Sequence, residues 1–287
     1  MPVRDDRPLS RRDLLRLGAA AGLAAAGARP LAAEPEKQRP IPVGLQLYSV
    51  RGECKKDFAK TIETVGKLGY DGVEFAGYYG WDRKPEALRQ LLDDNGLRCC
   101  GTHTSLNSLL GDDLGRTIEL HKTLGNRFLI VPSLPRKYHE DKAAWLETAK
   151  LFDGLAAKAK PHGLRVGYHN HAYEFKPIDG GPCGWDLFFS NTCDDVVMQL
   201  DTGNCMGGGG DPLAILRKYP GRAATVHLKE RGGQGVVGAG SVPWKDVFTL
   251  CRTIGGTEWY IVEFGGSSLG AFECARRCLE NIRTIRA

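Results

Sequence analysis

Short apolar runs alternate with longer amphipathic segments from residue 42 onward, and glycine, proline or asparagine residues separate them. A short apolar run between turn-forming residues predicts a buried strand. Eight segments have this pattern: residues 43–48, 72–75, 97–102, 128–131, 164–168, 196–200, 224–228 and 259–262. The pattern therefore predicts eight short strands that are buried along most of their length.

The segments between these strands have the periodicity of helices. Phe58, Ile62, Val65 and Leu68 repeat every three or four residues before Gly69, a residue type that favours the end of a helix. Comparable patterns predict helices over residues 88–92, 114–124, 142–159, 183–192, 211–219, 244–253 and 272–285. We interpret the four consecutive glycines at 207–210 as a flexible loop.

Eight strands alternating with helices indicate an α/β fold, the (β/α)8 TIM barrel, as a single domain over residues 41–287. Parallel strands need helical crossovers, and eight of them can close into a ring. The competing fold is an open doubly wound sheet. It is disfavoured because no Gly-x-Gly-x-x-Gly motif follows a strand at the start of a helix.

The first 33 residues have the order of an export signal. The pair Arg11–Arg12 precedes a weakly apolar run at 17–28, and small residues follow it. This arrangement resembles a twin-arginine signal peptide, so we expect residues 1–33 to be that signal, residues 34–40 a linker, and the protein to be periplasmic. The run is too short to cross about 30 Å of hydrocarbon, so we expect no stable membrane anchoring.

Charge and cysteine content exclude several functions. The formal net charge is +5, and the first 33 residues supply +3 of it, from six arginines less three aspartates. The remainder has no large basic excess, so we expect no nucleic acid partner. The nine cysteines are odd in number and lack Cys-x-x-Cys spacing, which indicates neither a zinc knuckle nor a disulfide framework.

Titratable side chains stand at the carboxyl ends of most predicted strands, where a TIM barrel has its active site. They are Glu74, His103, His169, His171, Asp201, His227 and Glu263. Charged groups that converge on one axis and lose their water are costly without a cation. A set of nitrogen and oxygen ligands suits a divalent metal, namely Mn²⁺, Mg²⁺, Co²⁺, Fe²⁺ or Zn²⁺.

Seven motifs that occur in order along the chain resemble the xylose isomerase-like TIM barrel superfamily, and more narrowly the bacterial proteins labelled sugar phosphate isomerase/epimerase. The motifs are LQLYSV, YDGVEFAGYYG, GTHTSL, GYHNHAYEF, VVMQLDTGN, TVHLKE and WYIVEFGG. The resemblance implies that Asp201, His227 and Glu263 bind a divalent metal. His169 is the implied fourth ligand, where many sugar epimerases have glutamate. In this respect GYHNH is closer to inosose-dehydratase-like members.

The resemblance also implies an enzyme that removes a proton next to a sugar carbonyl and passes through an ene-diolate. We expect Glu263, His169 and Glu174 to be catalytic. Residues expected to bind the substrate are Glu74, His103, His171, Lys229 and Arg231, with Glu74 and His103 at the barrel mouth. The alternative is that His171 only braces a neighbouring group and that Glu174 caps the loop.

The leading reaction is sugar isomerisation or epimerisation, on a small sugar or keto-sugar. An alternative is β-elimination on a 3-keto-sugar or keto-glycoside, by a lyase or dehydratase, because a histidine replaces one of the two glutamates that symmetric proton exchange needs. An alternative of another class is a non-catalytic carbohydrate-binding subunit of an exported oxidoreductase. Export favours an unphosphorylated substrate, and a homo-oligomer is compatible with the sequence.

Overall fold

The computed structural model describes residues 40–286, and eight parallel strands in it form a closed barrel in sequence order. The strands are Val43–Gln46 (β1), Gly72–Phe75 (β2), Arg98–His103 (β3), Phe128–Val131 (β4), Arg165–His169 (β5), Val197–Asp201 (β6), Thr225–Leu228 (β7) and Trp259–Val262 (β8). Strand β1 pairs with both β2 and β8, so the barrel has no open edge. The predicted (β/α)8 fold is confirmed.

Helices connect the strands and cover the outside of the barrel, as expected for parallel strands. They are Arg51–Lys56 (α1), Phe58–Leu68 (α2), Pro85–Asp94 (α3), Asp113–Thr123 (α4), Lys142–Ala159 (α5), Gly184–Phe189 (α6), Thr202–Gly208 (α7), Pro212–Lys218 (α8), Trp244–Leu250 (α9) and Ala271–Arg286 (α10). The predicted first strand is too long by two residues, because a 3₁₀ turn begins at Leu47.

Helix α7 corrects the interpretation of the glycine run as a loop, since Gly207 and Gly208 form its last turn. The helix is short, and Asp201 caps its first turn by accepting a hydrogen bond from Asn204 N at 2.7 Å. A side chain at position 208 would collide with the backbone oxygen of Ala172. Glycine is therefore used here for close packing against the segment that follows β5.

The inside of the barrel has an apolar lower part and a polar upper part. Side chains alternate in direction along a strand, so every second residue faces the barrel axis. The lower part is a cluster separate from the main core, formed by Cys100, Phe128, Ile130, Val197, Ala224, Trp259 and Ile261. Above it lie the buried polar side chains of Gln46, Glu74, Gln199, Asp201 and His227. The polar residues inside the barrel therefore lie toward its carboxyl end.

The predicted signal at 1–33 and the predicted linker up to residue 39 lie outside the described residues. Within residues 40–286, no helix combines the length and the apolar character that a membrane crossing requires.

Candidate functional site

Four side chains from consecutive strands meet at the carboxyl end of the barrel. His169 ends β5, Asp201 ends β6, His227 lies near the end of β7 and Glu263 follows β8. Asp201 and His227 are direct partners in the β6–β7 register. One ligand atom from each of the four residues lies within 4.8 Å of the other three. The structure therefore brings together the four residues that the sequence analysis assigned to a metal.

Two buried atoms of this cluster have no hydrogen-bond partner within residues 40–286. Asp201 uses Oδ1 to cap α7, whereas no donor among the described residues reaches its Oδ2. The Nδ1 atom of His169 is likewise unpaired among the described residues. Leaving a buried carboxylate oxygen and a buried imidazole nitrogen unpaired is costly. A divalent cation would satisfy both atoms, and a mixed nitrogen and oxygen set suits such an ion.

The charges of the site leave an acidic excess. His227 lies between two carboxylates, with Nε2 at 2.5 Å from Glu74 Oε2 and Nδ1 at 2.7 Å from Glu263 Oε2. Burial lowers the pKa of His227, but the charges and hydrogen bonds of Glu74 and Glu263 outweigh burial and raise this pKa to about 10. Lys229 Nζ lies 2.9 Å from Glu263 Oε1 and 3.8 Å from Asp201 Oδ2. Two cationic side chains thus face three carboxyl groups.

The carboxyl group of Asp201 shows the effect of this excess. Burial raises its pKa to about 7; Lys229 opposes that rise, and the nearby charge of Glu263 adds to it. A carboxylate that is hard to ionise in the protein alone would gain from a positive ion beside it. The electrostatics therefore agree with the unpaired atoms in indicating room for a cation.

A cavity of about 850 Å³ opens above the cluster. Its lining residues are Tyr48, Ala76, residues 103–107, residues 132–135, His169, His171, Lys229 and Glu263. The predicted site residues His103, His169, His171, Lys229 and Glu263 are therefore all at the cavity. This size accommodates a small organic molecule, and the wall carries both hydroxyl and apolar side chains.

Glu74 does not lie at the barrel mouth, where the sequence analysis placed it. Its side chain has 0% exposure and lies beneath the cluster, inside the barrel. It accepts hydrogen bonds from Gln46 Nε2 at 2.7 Å, Gln199 Nε2 at 2.7 Å and His227 Nε2 at 2.5 Å. The position follows from β2 ending one residue later, so that Glu74 is still within the strand and faces the axis.

Glu174 and Arg231 also lie apart from the cavity. Glu174 is buried and accepts hydrogen bonds from Tyr168 OH and His171 N, both at 2.9 Å. Tyr168 alternates with His169 along β5 and so faces the surrounding helices, which takes Glu174 to the outer side of the barrel. The Arg231 side chain is exposed and lies near Gly207.

Two polar residues at the base of the site were not among the predicted candidates. Gln199 donates from Nε2 to Glu74 Oε1 at 2.7 Å and to Thr225 Oγ1 at 3.0 Å, and His103 Nε2 lies 2.7 Å from Gln199 Oε1. Gln199 and Thr225 each precede a predicted ligand by two residues, so they share its direction. A polar residue at that spacing within an apolar strand is the signal that would have identified them.

The chain is similar to proteins named inosose dehydratase and to a solved structure named sugar phosphate isomerase/epimerase. An inosose dehydratase of Erwinia tasmaniensis is 25% identical over 252 residues, covering 73% of this chain and 83% of that protein. An inosose dehydratase of Lacticaseibacillus casei is 22% identical over 250 residues, covering 72% of this chain and 81% of that protein. A solved structure named as a sugar phosphate isomerase/epimerase from Parabacteroides distasonis has 25% identity and a TM-score of 0.72, covering 88% of this chain and 97% of that chain.

The similarity extends to the family level. The family model described as xylose isomerase-like TIM barrel matches residues 62–283, which include β2 to β8 and most of the cavity lining. This match agrees with the closed eight-stranded barrel. The chain therefore belongs to the xylose isomerase-like TIM barrel family.

Proposed function

We propose that this chain is a divalent-metal-dependent enzyme that removes a proton next to the carbonyl of a keto-sugar and then eliminates the oxygen at the β position. The observation that carries the proposal is the four-residue cluster with its unpaired Asp201 Oδ2 and His169 Nδ1, at the floor of a cavity of about 850 Å³. Folded proteins leave few buried polar atoms unpaired, and an ion bound between these two ligand atoms would satisfy both of them.

His169, Asp201, His227 and Glu263 would hold the ion. When bound, a divalent metal polarises a carbonyl group and thereby acidifies the proton on the neighbouring carbon. The rest of the chemistry belongs to side chains of this chain. Glu263 accepts the carbon-bound proton on its carboxylate, and Lys229, 2.9 Å from Glu263 Oε1, stabilises the negative charge that develops on the carbonyl oxygen.

Elimination needs a second group that donates a proton to the departing oxygen. His171 lies two residues past the end of β5 and lines the cavity. Strand β5 is three positions from β8 around the ring, so His171 faces Glu263 from across the mouth and is the group that donates this proton. Imidazole donates a proton near neutral pH. The electron pair left on carbon forms the new double bond, the β carbon–oxygen bond breaks, and the oxygen leaves as water or an alcohol.

Elimination is preferred because the cavity is asymmetric. Among the described residues that line the cavity, Glu263 is the only carboxylate, and the groups across from it are imidazoles. Epimerisation by two carboxylates on opposite faces of the substrate therefore lacks its second carboxylate. The names of the relatives as inosose dehydratases support elimination.

The second candidate is a sugar isomerase or epimerase, in which the proton returns to the substrate. It is supported by the Parabacteroides distasonis structure, whose name is sugar phosphate isomerase/epimerase. Both candidates share proton removal next to a carbonyl and differ only in the fate of the ene-diolate. The predicted export signal remains part of the proposal and favours an unphosphorylated substrate in the periplasm.

The test uses the purified protein, stripped with a chelator and reloaded with Mn²⁺ alone. The loaded protein is incubated in heavy water with keto-inositols, 3-keto-glycosides and free ketoses, and products are followed by NMR and mass spectrometry. A metal-dependent α,β-unsaturated ketone is the expected product. A deuterium-labelled isomer would instead support isomerisation, and a bound sugar without label or product would support the carbohydrate-binding role.

Two variants connect this chemistry to the cluster. Asp201→Ala and His227→Ala are each expected to lose bound Mn²⁺ while keeping the circular dichroism spectrum of the folded barrel. Unchanged metal content in both variants would refute the proposed metal site.

A further inference from the structure

A buried carboxylate beneath the metal cluster has no role in the proposed proton transfers. Glu74 has 0% exposure, and Glu74 Oε2 lies 2.5 Å from His227 Nε2 and 2.7 Å from Gln46 Nε2. Its other oxygen, Oε1, accepts from Gln199 Nε2 at 2.7 Å. Each partner is itself buried, so these contacts are shielded from water.

The direction of these hydrogen bonds assigns the proton on His227. An ionised carboxylate only accepts hydrogen bonds. The Nε2 atom of His227 must therefore carry a hydrogen and donate it to Glu74. The other ring nitrogen, Nδ1, lies 2.7 Å from Glu263 Oε2 and, by the same argument, carries the second hydrogen of the cationic ring. A bound metal would replace that hydrogen, because Glu74 holds the one on Nε2, and Nδ1 would then supply the lone pair that a metal requires.

The same carboxylate assigns the proton on His103 through one intermediate. Because Gln199 donates its amide to Glu74 Oε1, the amide oxygen of Gln199 is turned toward His103 Nε2, at 2.7 Å. An amide oxygen accepts, so His103 Nε2 also carries a hydrogen. The Nδ1 atom of neutral His103 is then an acceptor, on a ring that lines the cavity.

The position of Glu74 is tightly constrained by its surroundings. A Cβ atom at Gly101, on the neighbouring strand β3, would lie 2.6 Å from Glu74 Oε1. Real Cβ atoms do not approach this closely, so glycine at 101 is what leaves room for the carboxylate. With Gln46 on its other side, Glu74 is held in the one orientation that reaches both His227 and Gln199.

We propose that Glu74 is a positioning residue that sets the tautomers of His227 and His103 together, so that His227 offers Nδ1 to the metal and His103 offers Nδ1 to a substrate hydroxyl. The inference rests on the proposed function in that it takes the cluster as a metal site. Outer carboxylates that orient a metal-binding histidine typically change metal affinity about 10–100-fold when they are replaced.

The decisive variant is Glu74→Gln, which has nearly the same shape. At the Oε2 position its amide nitrogen would face two donors, His227 Nε2 and Gln46 Nε2, and at the Oε1 position it would face the donor Gln199 Nε2. Neither orientation keeps all three contacts, and both remove the negative charge that holds the hydrogen on His227 Nε2. Affinity for Zn²⁺ alone, measured by competition with a chelator, is expected to fall about 10–100-fold. The matched control is Thr225→Val, which removes the Gln199–Thr225 hydrogen bond and leaves Glu74 and both histidines in place.

The control variant is expected to bind Zn²⁺ as the wild type does. Glu74→Asp separates charge from contact, because it keeps the charge but is too short to reach His227. It is expected to bind Zn²⁺ weakly as well, and wild-type affinity in this variant would show that charge alone matters and overturn the proposal.

A measurement on the wild-type protein does not depend on how the variants fold. Nitrogen NMR of the zinc-loaded protein is expected to show a protected hydrogen on His227 Nε2 and none on Nδ1. A hydrogen on Nδ1, or an unchanged Zn²⁺ affinity in Glu74→Gln, overturns the tautomer proposal while leaving the metal site intact. A wild-type protein that binds neither Zn²⁺ nor Mn²⁺ would instead refute the proposed function and this inference with it.

Discussion

The loop after β7 is organised around one buried carboxylate, and this arrangement predicts a large loss of stability on a small chemical change. Glu230 is 7% exposed, and each of its oxygens accepts two hydrogen bonds. Oε1 accepts from Arg231 N at 2.9 Å and Val242 N at 3.1 Å. Oε2 accepts from Gly238 N at 2.8 Å and Trp244 Nε1 at 2.6 Å. The change to consider is Glu230→Gln.

Glutamine can satisfy only one of these two pairs of donors, because its second group is itself a donor. With the amide nitrogen at the Oε1 position, the donors that lose their acceptor are those of Arg231 and Val242. At the Oε2 position they are those of Gly238 and Trp244. In each orientation, one of the donors without an acceptor belongs to an exposed residue, which water can reach, and the other belongs to a buried residue. A buried donor without an acceptor costs about 1–3 kcal/mol, and the repulsion between two facing donors adds to this cost. We therefore expect the free energy of unfolding to fall by about 3 kcal/mol.

Urea unfolding followed by tryptophan fluorescence measures this loss, and the midpoint of thermal unfolding is expected to fall by about 6–10 °C for a chain of this size. The control is Glu140→Gln on an exposed residue, which is expected to change the free energy of unfolding by less than about 0.5 kcal/mol. A loss below about 1 kcal/mol in Glu230→Gln would refute the reasoning, since the donors would then have found other partners.

Three further predictions concern buried groups. Burial lowers the pKa of His121 to about 4, below its value in the unfolded chain. Between these two pKa values the unfolded chain binds one more proton than the folded protein, so stability falls as pH falls. From about pH 7 to about pH 5, urea titrations should show the free energy of unfolding falling about 2 kcal/mol less in His121→Gln than in the wild type. Gly101→Ala should press on Glu74, lower the free energy of unfolding by about 1–3 kcal/mol and weaken Zn²⁺ binding, and normal values of both would contradict the close contact. Glu174→Gln should lower the free energy of unfolding by about 1–2 kcal/mol, because it weakens the hydrogen bond from Tyr168 OH, yet it should react with keto-sugars at the wild-type rate. Loss of the reaction in a protein of normal stability would instead support a catalytic role for Glu174.

Much of the site was predictable because it depends on strand ends. A strand leaves the barrel at a definite residue, so the titratable residues His169, Asp201 and Glu263 had to converge once eight parallel strands closed into a ring. Strand alternation also predicted that His171 would share the side of His169, and both residues line the cavity.

The depth and direction of other side chains were not predictable in this way. Glu74 was expected at the mouth but lies below the cluster, because β2 continues for one residue past it. Glu174 was expected to reach back to the site. It is instead held by Tyr168 OH, on the side of β5 that faces the helices. Sequence spacing carries no information about which of these partners a loop carboxylate meets.

The sequence by itself determined the fold, the positions of the strands to within a few residues, and the set of side chains at the carboxyl end of the barrel. These properties follow from local patterns, namely the period of apolar residues and the turn residues between runs, and local patterns can be read in one dimension. Only the tertiary structure decided which polar atoms are paired and which are left free. Within residues 40–286, Asp201 Oδ2 has no hydrogen-bond partner, whereas both oxygens of Glu74 are paired. Closure of the barrel decides this, because it brings residues more than a hundred positions apart, such as Glu74 and His227, into hydrogen-bond contact. Such contacts depend on distances in space that the order of residues does not specify.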